Sequence, residues 1–373
     1  MILRSLELLR FRNYSNERVQ FDDQRNIFCG RNAQGKSNIL EAIYVLCISR
    51  SFRTRFEKEA IQFKEHDCSV RGEFVLDNGR TRNVVFYYNR KEGKQVSIDR
   101  NRITRMSDYI GQFPVVLSSP EEYDLTSGPP ASRRRFMDIL FSQLSTSYLH
   151  DLQDYLQVLK QRNAILNDAK YNRRNVSAII EPWNDSLVEK GSRIIWNRLA
   201  FSDQINTLVE SIYSKLSDSG ERLNFSYGNF AGISEFEELK KAFIERLLSN
   251  YQQEIERGKT LTGPHRDDYI FTIDGKDLRK YGSRGQHKTV LIALMIAEYK
   301  MIKEKKKETP LILVDDLFSE LDRTREEKII QYLQDMGQNF LTTTLPVKES
   351  IHYTGMNNIT HFEVKNGLLE KSL

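Results

Sequence analysis

Eight residues near the start of the chain have the types and spacing of a phosphate-binding loop. The run Gly30-Arg31-Asn32-Ala33-Gln34-Gly35-Lys36-Ser37 fits the pattern G-x-x-x-x-G-K-[ST] and lies between an apolar stretch and a stretch with helical periodicity. The glycines let successive backbone N–H groups point at phosphate oxygens, and the start of the following helix favours negative charge. In this pattern Lys36 reaches the β- and γ-phosphates and the Ser37 hydroxyl ligates Mg²⁺. The run therefore predicts a site for a nucleoside triphosphate.

Two carboxylates follow a short apolar run far downstream. Leu311-Ile312-Leu313-Val314 has the character of a buried strand, and Asp315 and Asp316 come directly after it. At the tip of a strand beside the phosphate loop, Asp315 can hold Mg²⁺. Asp316 is then placed to orient or deprotonate an attacking water and is the candidate catalytic residue. Two acids after four aliphatic residues are common at strand ends, so this pattern gains its meaning from the phosphate loop.

A second run has the features of an anion-binding helix start. Ser283-Arg284-Gly285-Gln286 combines a hydroxyl and a glycine backbone with a helix expected from near Thr289. The phosphate loop of the same chain already wraps a phosphate, so this tip is expected to contact a nucleotide held by a second copy. Ser319-Glu320-Leu321-Asp322 precedes another amphipathic helix, where Ser319 or Asp322 is either a helix cap or part of the site.

The periodicity of the chain divides it into three parts. About the first hundred residues alternate with hairpin signals, such as Asp77-Asn78-Gly79, and are predicted to be mostly β with one helix. After Ser127-Gly128-Pro129-Pro130, apolar residues recur at helical spacing, with a break expected at Pro182. Short apolar strands alternate with helices from Tyr269 onward, which indicates a buried parallel sheet.

Composition sets limits on the class of protein. The chain has 373 residues, 39% hydrophobic and 29% charged, and no window approaches the roughly 18 uninterrupted apolar residues of a membrane helix. The first residues contain Glu7 and no cleavage site, so a cytoplasmic protein without membrane contact is expected. The three cysteines are too few and too scattered for a disulfide framework or a zinc site. The net charge of +5 permits a polyanionic partner.

Taken in order, these motifs resemble the ATPase head of SMC- and Rad50-like ABC proteins, and within that group the RecF family of bacterial recombination mediators. Four further runs carry the narrower resemblance, which spans essentially the whole chain: Phe11-Arg12-Asn13-Tyr14, Asn38-Ile39-Leu40-Glu41-Ala42, Pro130-Ala131-Ser132-Arg133-Arg134-Arg135-Phe136-Met137-Asp138 and Gly263-Pro264-His265-Arg266-Asp267-Asp268.

The resemblance implies an α/β fold. It would be an ABC-type, SMC/Rad50-like P-loop ATPase head with a β-rich lobe and an inserted helical arm. The expected boundaries are residues 1–127 for the N-terminal half of the head, 128–259 for the arm and 260–373 for the C-terminal half.

The resemblance also implies an ATP-dependent DNA-binding protein for repair and replication. It would form a homodimer around two ATP with Mg²⁺, in which Ser283, Arg284, Gly285, Gln286 and Asp322 contact the partner's nucleotide in trans. Its DNA would be double-stranded, gapped or a single-strand/double-strand junction, and it would work with RecR and RecO to promote RecA loading. Slow, DNA-stimulated hydrolysis would act as a release switch. Asp316 stands where the wider superfamily commonly has glutamate, which fits a slow ATPase.

Basic residues cluster at several places that could contact DNA. By analogy with SMC-type heads, Arg50, Arg53, Arg55, Arg102 and Arg105 are the candidates, because guanidinium groups grip phosphate oxygens in pairs. Further clusters lie at 133–135 and 303–307, and each cluster could instead be a solvated surface. His265 is singled out by the resemblance alone.

Three other functions remain open. A P-loop kinase would need an acceptor pocket and would leave Ser283-Arg284-Gly285-Gln286 without a role. A structural tether of the SMC or Rad50 type would require long heptad arms and a zinc hook, whereas the helical insert is short and irregular. A transporter motor would place a switch histidine where this chain has Thr342-Thr343-Thr344.

Overall fold

The computed structural model describes residues 1–54, 57–172, 176–217, 220–230, 232–316, 323–346 and 359–372. The chain forms two compact units. The first unit contains Met1–Tyr123, Lys215–Asp218 and Arg284–Leu373, and the second contains Asp124–Ser214 and Ser219–Ser283.

Strands and helices are numbered here in chain order. The strands are β1 (Ile2–Phe11), β2 (Tyr14–Gln20), β3 (Arg25–Cys29), β4 (Asp67–Val75), β5 (Thr81–Asn89), β6 (Gly93–Ile98), β7 (Asn101–Arg102), β8 (Val115–Ser118), β9 (Leu223–Tyr227), β10 (Tyr269–Ile273), β11 (Lys276–Asp277), β12 (Leu311–Val314), β13 (Asn339–Thr343), β14 (Ile359–Lys365) and β15 (Leu368–Ser372). The α-helices are α1 (Lys36–Ile48), α2 (Tyr123–Ser127), α3 (Pro130–Leu144), α4 (Thr146–Asn172), α5 (Ser177–Leu216), α6 (Phe236–Ser249), α7 (Tyr251–Arg257), α8 (Leu278–Tyr281), α9 (Arg284–Lys306) and α10 (Arg323–Gln334).

The first unit contains an antiparallel sheet in the order β2-β1-β4-β5-β6-β7. Its β4–β5 hairpin turns at Asp77-Asn78-Gly79, where Gly79 has a φ of +80°. That left-handed conformation favours glycine, which explains why the Asn-Gly signal predicts the turn correctly. Along β1, buried Leu6 and Leu8 alternate with more exposed residues, so one face of the strand packs on the core.

A second sheet in the first unit has the order β15-β14-β3-β13-β12-β8. The pairs β14–β3, β3–β13, β13–β12 and β12–β8 are parallel, and β15 is antiparallel to β14. Every residue of β3, β8, β12 and β13 is buried, as expected for strands of a parallel sheet that is covered on both faces. The prediction of a buried parallel sheet is confirmed.

Helix α1 contacts both sheets of the first unit. It packs against β1, β4 and β5 of the antiparallel sheet and against β8, β12 and β13 of the other. All but Ser37 and Asn38 of its 13 residues are buried, which explains its apolar character on every side. The phosphate-loop helix is therefore held in the core of the unit, and its first turn is the part that remains accessible.

The second unit combines helices with the small antiparallel sheet β11-β10-β9. Two sequence expectations fail here. The break expected at Pro182 is absent, because Pro182 lies near the start of the 40-residue helix α5, where its missing N–H removes one early backbone bond. Strand β10 pairs with β9 and not with the parallel sheet, a non-local pairing that periodicity cannot reveal. The compact second unit is consequently longer than the predicted arm.

Among the residues that the structure describes, no helix has both the length and the hydropathy needed to cross a membrane.

Candidate nucleotide-binding site

The predicted phosphate loop connects the buried strand β3 to helix α1. Gly30 and Gly35 have φ values of +154° and +118°, in the region that favours glycine. A Cβ atom on Gly30 would lie 2.5 Å from the carbonyl oxygen of Val364, and one on Gly35 would lie 2.8 Å from the Tyr14 hydroxyl oxygen. Both the backbone conformation and the close packing therefore require glycine at these positions.

Side chains from the β1–β2 hairpin brace this loop. The Tyr14 hydroxyl donates to the Gly35 carbonyl at 3.0 Å, and the Asn13 Nδ2 donates to the Gln34 carbonyl at 2.8 Å. The backbone N–H of Asn366 also donates to the Gln34 Oε1, at 2.8 Å. The family-typical run at 11–14 thus fixes the shape of the loop, a role that the sequence pattern alone does not reveal.

Lys36 and Ser37 lie where the loop becomes helix. The Lys36 ammonium donates to the carbonyls of Gly30 and Arg31, at 2.7 and 2.9 Å, so it lies across the loop. Burial lowers the pKa of Lys36, while the carboxylates of Asp315 and Asp316 act in the opposite direction. The Lys36 side chain is thus a buried cation placed at the centre of a glycine-shaped cradle.

Ser37 meets the first carboxylate of the downstream pair. Its Oγ donates to Asp315 Oδ1 at 2.9 Å, although 278 positions separate the two residues in the chain. Asp315 directly follows β12, and β13 lies between β12 and β3 in the sheet. The carboxyl ends of parallel strands share one edge of the sheet, which brings the two motifs together.

Thr342, on the intervening strand β13, bridges the two acidic positions. Its buried hydroxyl donates to Asp315 Oδ1 at 2.6 Å and accepts the backbone N–H of Asp316 at 3.0 Å. Asp316 itself has a φ of +51°, so the chain turns sharply immediately after Asp315. In the sequence, the signal for this role is a threonine at the end of an apolar strand, and that signal identifies neither the partner nor the function.

The oxygen atoms at this edge suit a small divalent cation. Mg²⁺ is commonly bound through one or two carboxylates, with water and phosphate oxygens completing its ligands. Ser37 and Asp315 provide a hydroxyl and a carboxylate at that position. Within the described part of the chain, no group of three or more His, Cys, Asp or Glu side chains could hold a metal by itself. The donor set therefore fits a metal that arrives with a phosphate ligand.

A buried ion pair connects helix α1 to the hairpin. The Arg12 guanidinium binds the Glu41 carboxylate through two nitrogens, at 2.6 and 2.9 Å, and Glu41 is fully buried. The Ser51 hydroxyl donates to the same carboxylate at 2.6 Å. Two-point guanidinium–carboxylate pairing fixes orientation as well as distance, so it sets the angle between the loop helix and the hairpin.

The predicted in-trans residues lie at the start of a long helix. Ser283 is the last residue of the second unit, and Arg284 opens α9 in the first unit. Thr289 bonds back to the Gly285 carbonyl at 2.8 Å in the first turns of this helix, and Gln286 is half-buried. Asp322 and Ser319 lie outside the described residues. The role of this segment at a partner's nucleotide remains a prediction.

The candidate DNA-contacting arginines differ in their surroundings. Arg50, Arg102 and Arg105 are exposed. Arg53 is 38% exposed, and it donates to Asn38 Oδ1 at 2.6 Å, one residue after Ser37. Arg55 lies outside the described residues.

The cluster at 133–135 is not a free basic surface. Arg133 is only 4% exposed and binds both oxygens of Asp268, at 2.7 and 3.0 Å. Arg134 donates to the Asp267 carbonyl at 2.6 Å. The two family-typical runs at 130–138 and 263–268 therefore meet inside the second unit, and Arg133 serves the structure of that unit.

His265 lies in the same polar interior. Its Nδ1 is 2.6 Å from the Tyr155 hydroxyl oxygen, and its Nε2 is 3.2 Å from the Thr260 carbonyl oxygen. A carbonyl can only accept, so Nε2 carries the hydrogen and Nδ1 accepts from Tyr155. Burial lowers the pKa of His265 to about 4, which keeps the ring neutral at physiological pH.

Comparison with known proteins is consistent with this geometry. The family model for the RecF/RecN/SMC N-terminal domain matches residues 2–368. The chain is 38% identical to the DNA replication and repair protein RecF of Ligilactobacillus salivarius (strain UCC118), covering 98% of this chain and 97% of the relative. It is 34% identical to the RecF protein of Bacillus subtilis (strain 168), covering 100% of both.

Solved structures agree in fold. A structure of the recombination mediator protein RecF with ATP, from the RecFOR pathway, superposes with a TM-score of 0.92 at 29% identity, covering 100% of this chain and 98% of that one. An Smc head domain from Pyrococcus furiosus, at 15% identity and a TM-score of 0.56, shares the fold. The full-length match and the placement of the phosphate loop beside Asp315 lead to one assignment: the chain belongs to the RecF group of the RecF/RecN/SMC N-terminal domain family.

Proposed function

We propose that this chain is an ATP-controlled DNA-binding protein of DNA replication and repair. The observation that carries the proposal is the meeting of Ser37 with Asp315 beside a glycine-shaped loop, in a chain whose relatives are DNA replication and repair proteins. The loop from Gly30 to Ser37 would bind the phosphates of ATP. Ser37 and Asp315 would hold Mg²⁺, which neutralises phosphate charge when bound.

Hydrolysis would depend on residues at the same edge of the sheet. Asp316 would orient or deprotonate the attacking water, with its position fixed by the Thr342 hydroxyl. An aspartate reaches one methylene less far than a glutamate, so the reaction is expected to be slow. The enzyme would thus be a weak ATPase that changes conformation.

ATP would join two copies of the chain. The helix start formed by Ser283, Arg284, Gly285 and Gln286, with Asp322, would contact the γ-phosphate on the partner's loop. A γ-phosphate bound from both sides favours the closed dimer, and its removal takes away that difference in binding. We propose that the closed dimer holds duplex or gapped DNA and acts with RecR and RecO to promote RecA loading.

DNA binding with and without nucleotide tests the proposal. Fluorescence anisotropy with a gapped duplex should show tighter binding with Mg-ATP than without nucleotide. Lys36→Met removes the cation that holds the phosphates and should abolish both ATP binding and this ATP effect. Lys276→Met, which removes an exposed lysine on β11 of the second unit, should change neither. Wild-type ATP affinity in Lys36→Met would disprove the nucleotide site, and ATP-independent DNA affinity in the wild type would disprove the proposed coupling.

A further inference from the structure

One aromatic side chain, in the turn before β4, is almost entirely exposed to solvent. This turn and the antiparallel sheet of the first unit are together called the lobe. Phe63 is 85% exposed, more than any other large hydrophobic side chain among the described residues. A phenylalanine carries about 150–250 Å² of mostly apolar surface, so leaving it in water forgoes a substantial stabilisation. Its immediate neighbours in the chain are polar, namely Gln62 and Lys64. The exposed ring is therefore not part of a continuous apolar run in the chain.

The backbone on either side of Phe63 is firmly attached to the lobe. On the N-terminal side, Ile61 pairs with Phe11 of β1, and the Gln62 N–H donates to the Arg10 carbonyl at 2.8 Å. On the C-terminal side, the His66 carbonyl accepts the Arg90 N–H at 3.1 Å. Residues on both sides of the ring are thus bonded to different parts of the same sheet.

The turn that carries the ring is tight. The Glu65 N–H donates to the Gln62 carbonyl at 3.0 Å, and Lys64 adopts a φ of +73°. Because both attachments are fixed, the turn holds Phe63 outward in a limited range of positions. Binding of a ligand to this ring would therefore cost little conformational entropy at the site.

Exposed cations surround this turn. Lys64, Arg90 and Lys91 are exposed. Acids are interspersed with these cations: Asp67 pairs with Arg10 at 3.0 Å and Glu57 with Lys94 at 3.5 Å, while Glu65 lies in the turn itself and exposed Glu92 follows Lys91. A single aromatic ring among lysines and arginines fits a nucleic acid strand, whose bases stack on the ring while its phosphates meet the cations. A protein partner would instead favour a contiguous apolar patch.

We propose that Phe63 is a stacking site for a nucleobase exposed where a DNA duplex ends or opens. The inner base pairs of an intact duplex present no free face, whereas an unpaired base or a terminal pair at a gap does. The site would thus give the protein a preference for the junction over continuous duplex. This inference rests on the DNA-binding function proposed above and adds the side chain that would recognise the opened DNA.

Two DNAs of the same sequence distinguish the proposed stacking site from general DNA binding. Both are circular duplexes without ends; both strands of one are continuous, and the other carries an internal single-stranded gap. Wild-type protein with Mg-ATP should bind the gapped DNA more tightly. Phe63→Ala should lose affinity for the gapped DNA on the order of 5- to 150-fold, the range seen when a base-stacking ring is removed, and should bind the closed duplex within about twofold of wild type, because phosphate contacts are retained.

A matched control and a direct signal complete the test. Tyr171→Ala removes another exposed aromatic, 71% exposed at the end of α4, and should leave both affinities unchanged. The indole introduced by Phe63→Trp should be quenched by gapped DNA and not by closed duplex, against the constant background of Trp183 and Trp196 measured in the wild type. An unchanged preference for the gap in Phe63→Ala would overturn the stacking site, even if the variant bound a protein partner less well. If the wild-type protein bound neither DNA, the DNA-binding function proposed above would be overturned instead.

Discussion

At the scale of single residues, one threonine hydroxyl, that of Thr342, contacts both acidic positions of the candidate site. Its oxygen lies between the Asp315 carboxylate and the Asp316 backbone, so one side chain fixes both acidic positions. Thr342 stands in a region where transporter-type ABC ATPases place a histidine. The threonine cannot titrate, so we expect its effect on the site to be positional.

Substitution of Thr342 should affect turnover more than binding. Thr342→Val keeps the volume and removes the hydroxyl, which leaves Asp315 and the Asp316 N–H without this partner. Loss of a hydrogen bond to a charged group costs about 1.5–3 kcal/mol, so we expect kcat for ATP to fall on the order of 10- to 100-fold while ATP affinity changes little. Thr342→Ser should restore turnover. Wild-type turnover in the valine variant would contradict the positioning role.

His265 makes a prediction about pH. Its folded-state pKa, lowered to about 4, lies below the ordinary value of 6.5. As pH falls below 6.5, the unfolded chain takes up a proton that the folded chain does not, so the free energy of unfolding decreases until about pH 4. Between pH 7 and pH 5 this one group should reduce the stability of the second unit by about 2 kcal/mol.

Urea unfolding followed by tryptophan fluorescence measures that effect. Both tryptophans, Trp183 and Trp196, lie in α5 of the second unit and report on its unfolding. His265→Gln can donate to the Thr260 carbonyl without titrating, so its stability should depend less on pH by about 2 kcal/mol over this range. His150→Gln, at an exposed histidine of α4, should keep the wild-type dependence. Identical pH dependence in wild type and His265→Gln would contradict the assignment of a neutral, buried ring.

At the scale of elements, a hydrogen-bonded path runs from a candidate DNA contact to the phosphate loop. Arg53 donates to Asn38 Oδ1 at 2.6 Å, Asn38 donates to Asn13 Oδ1 at 2.8 Å, and Asn13 donates to the Gln34 carbonyl at 2.8 Å. The path joins the segment after α1, the helix itself and the β1–β2 hairpin. A phosphate on Arg53 would compete with Asn38 for the guanidinium and so alter the support of the loop.

Removal of the Arg53 guanidinium should therefore have two effects. In Arg53→Ala, DNA affinity should fall and the slope of log K against log salt should flatten by about 1, as expected for one lost phosphate contact. Stimulation of ATP hydrolysis by DNA should also fall. Arg222→Ala, which removes a side chain that is 84% exposed in the second unit, serves as the charge-matched control. Unchanged DNA affinity and salt slope would place the DNA surface elsewhere.

Some of these elements can be predicted from the sequence, and others cannot. The phosphate loop, β12 with Asp315 and the hairpin at Gly79 follow from local spacing, because glycine conformation and strand burial leave local signals. The pairing of β9 with β10 joins residues 223–227 to 269–273, and the continuation of α5 through Pro182 depends on where the helix begins. Neither feature can be predicted from local periodicity. The bracing of the loop by Asn13 and Tyr14 was likewise hidden, since it requires knowing that β1–β2 lies against the loop.

At the scale of the whole molecule, the chain consists of an α/β unit, which contains the candidate nucleotide site, and a largely helical unit. Helix α9 starts at the boundary between them, directly after Ser283. Within one chain, the phosphate loop is braced by its own hairpin and by Asn366. In the proposed dimer, a second copy would add a second helix start, that of α9, at the γ-phosphate.

A substitution at this boundary separates nucleotide binding from dimer formation. Ser283→Arg introduces a long side chain at an exposed position. Position 283 is far in the sequence from the phosphate loop at residues 30–37. ATP binding by the variant should equal that of wild type, while ATP-dependent dimer formation should be lost. Ser283→Thr keeps the hydroxyl and should retain the dimer. A normal ATP-dependent dimer in the arginine variant would contradict the in-trans contact.

The mass of the protein in solution tests the central claim most directly. Light scattering should be measured on the Asp316→Asn variant, in which slowed hydrolysis preserves the bound nucleotide, without nucleotide and then with Mg-ATP. The account predicts a change from the mass of one chain to the mass of two, only when Mg-ATP is present, and no change when Lys36→Met is added to the variant. A mass of one chain under all conditions, or a dimer that forms equally without nucleotide, would contradict an ATP-controlled clamp.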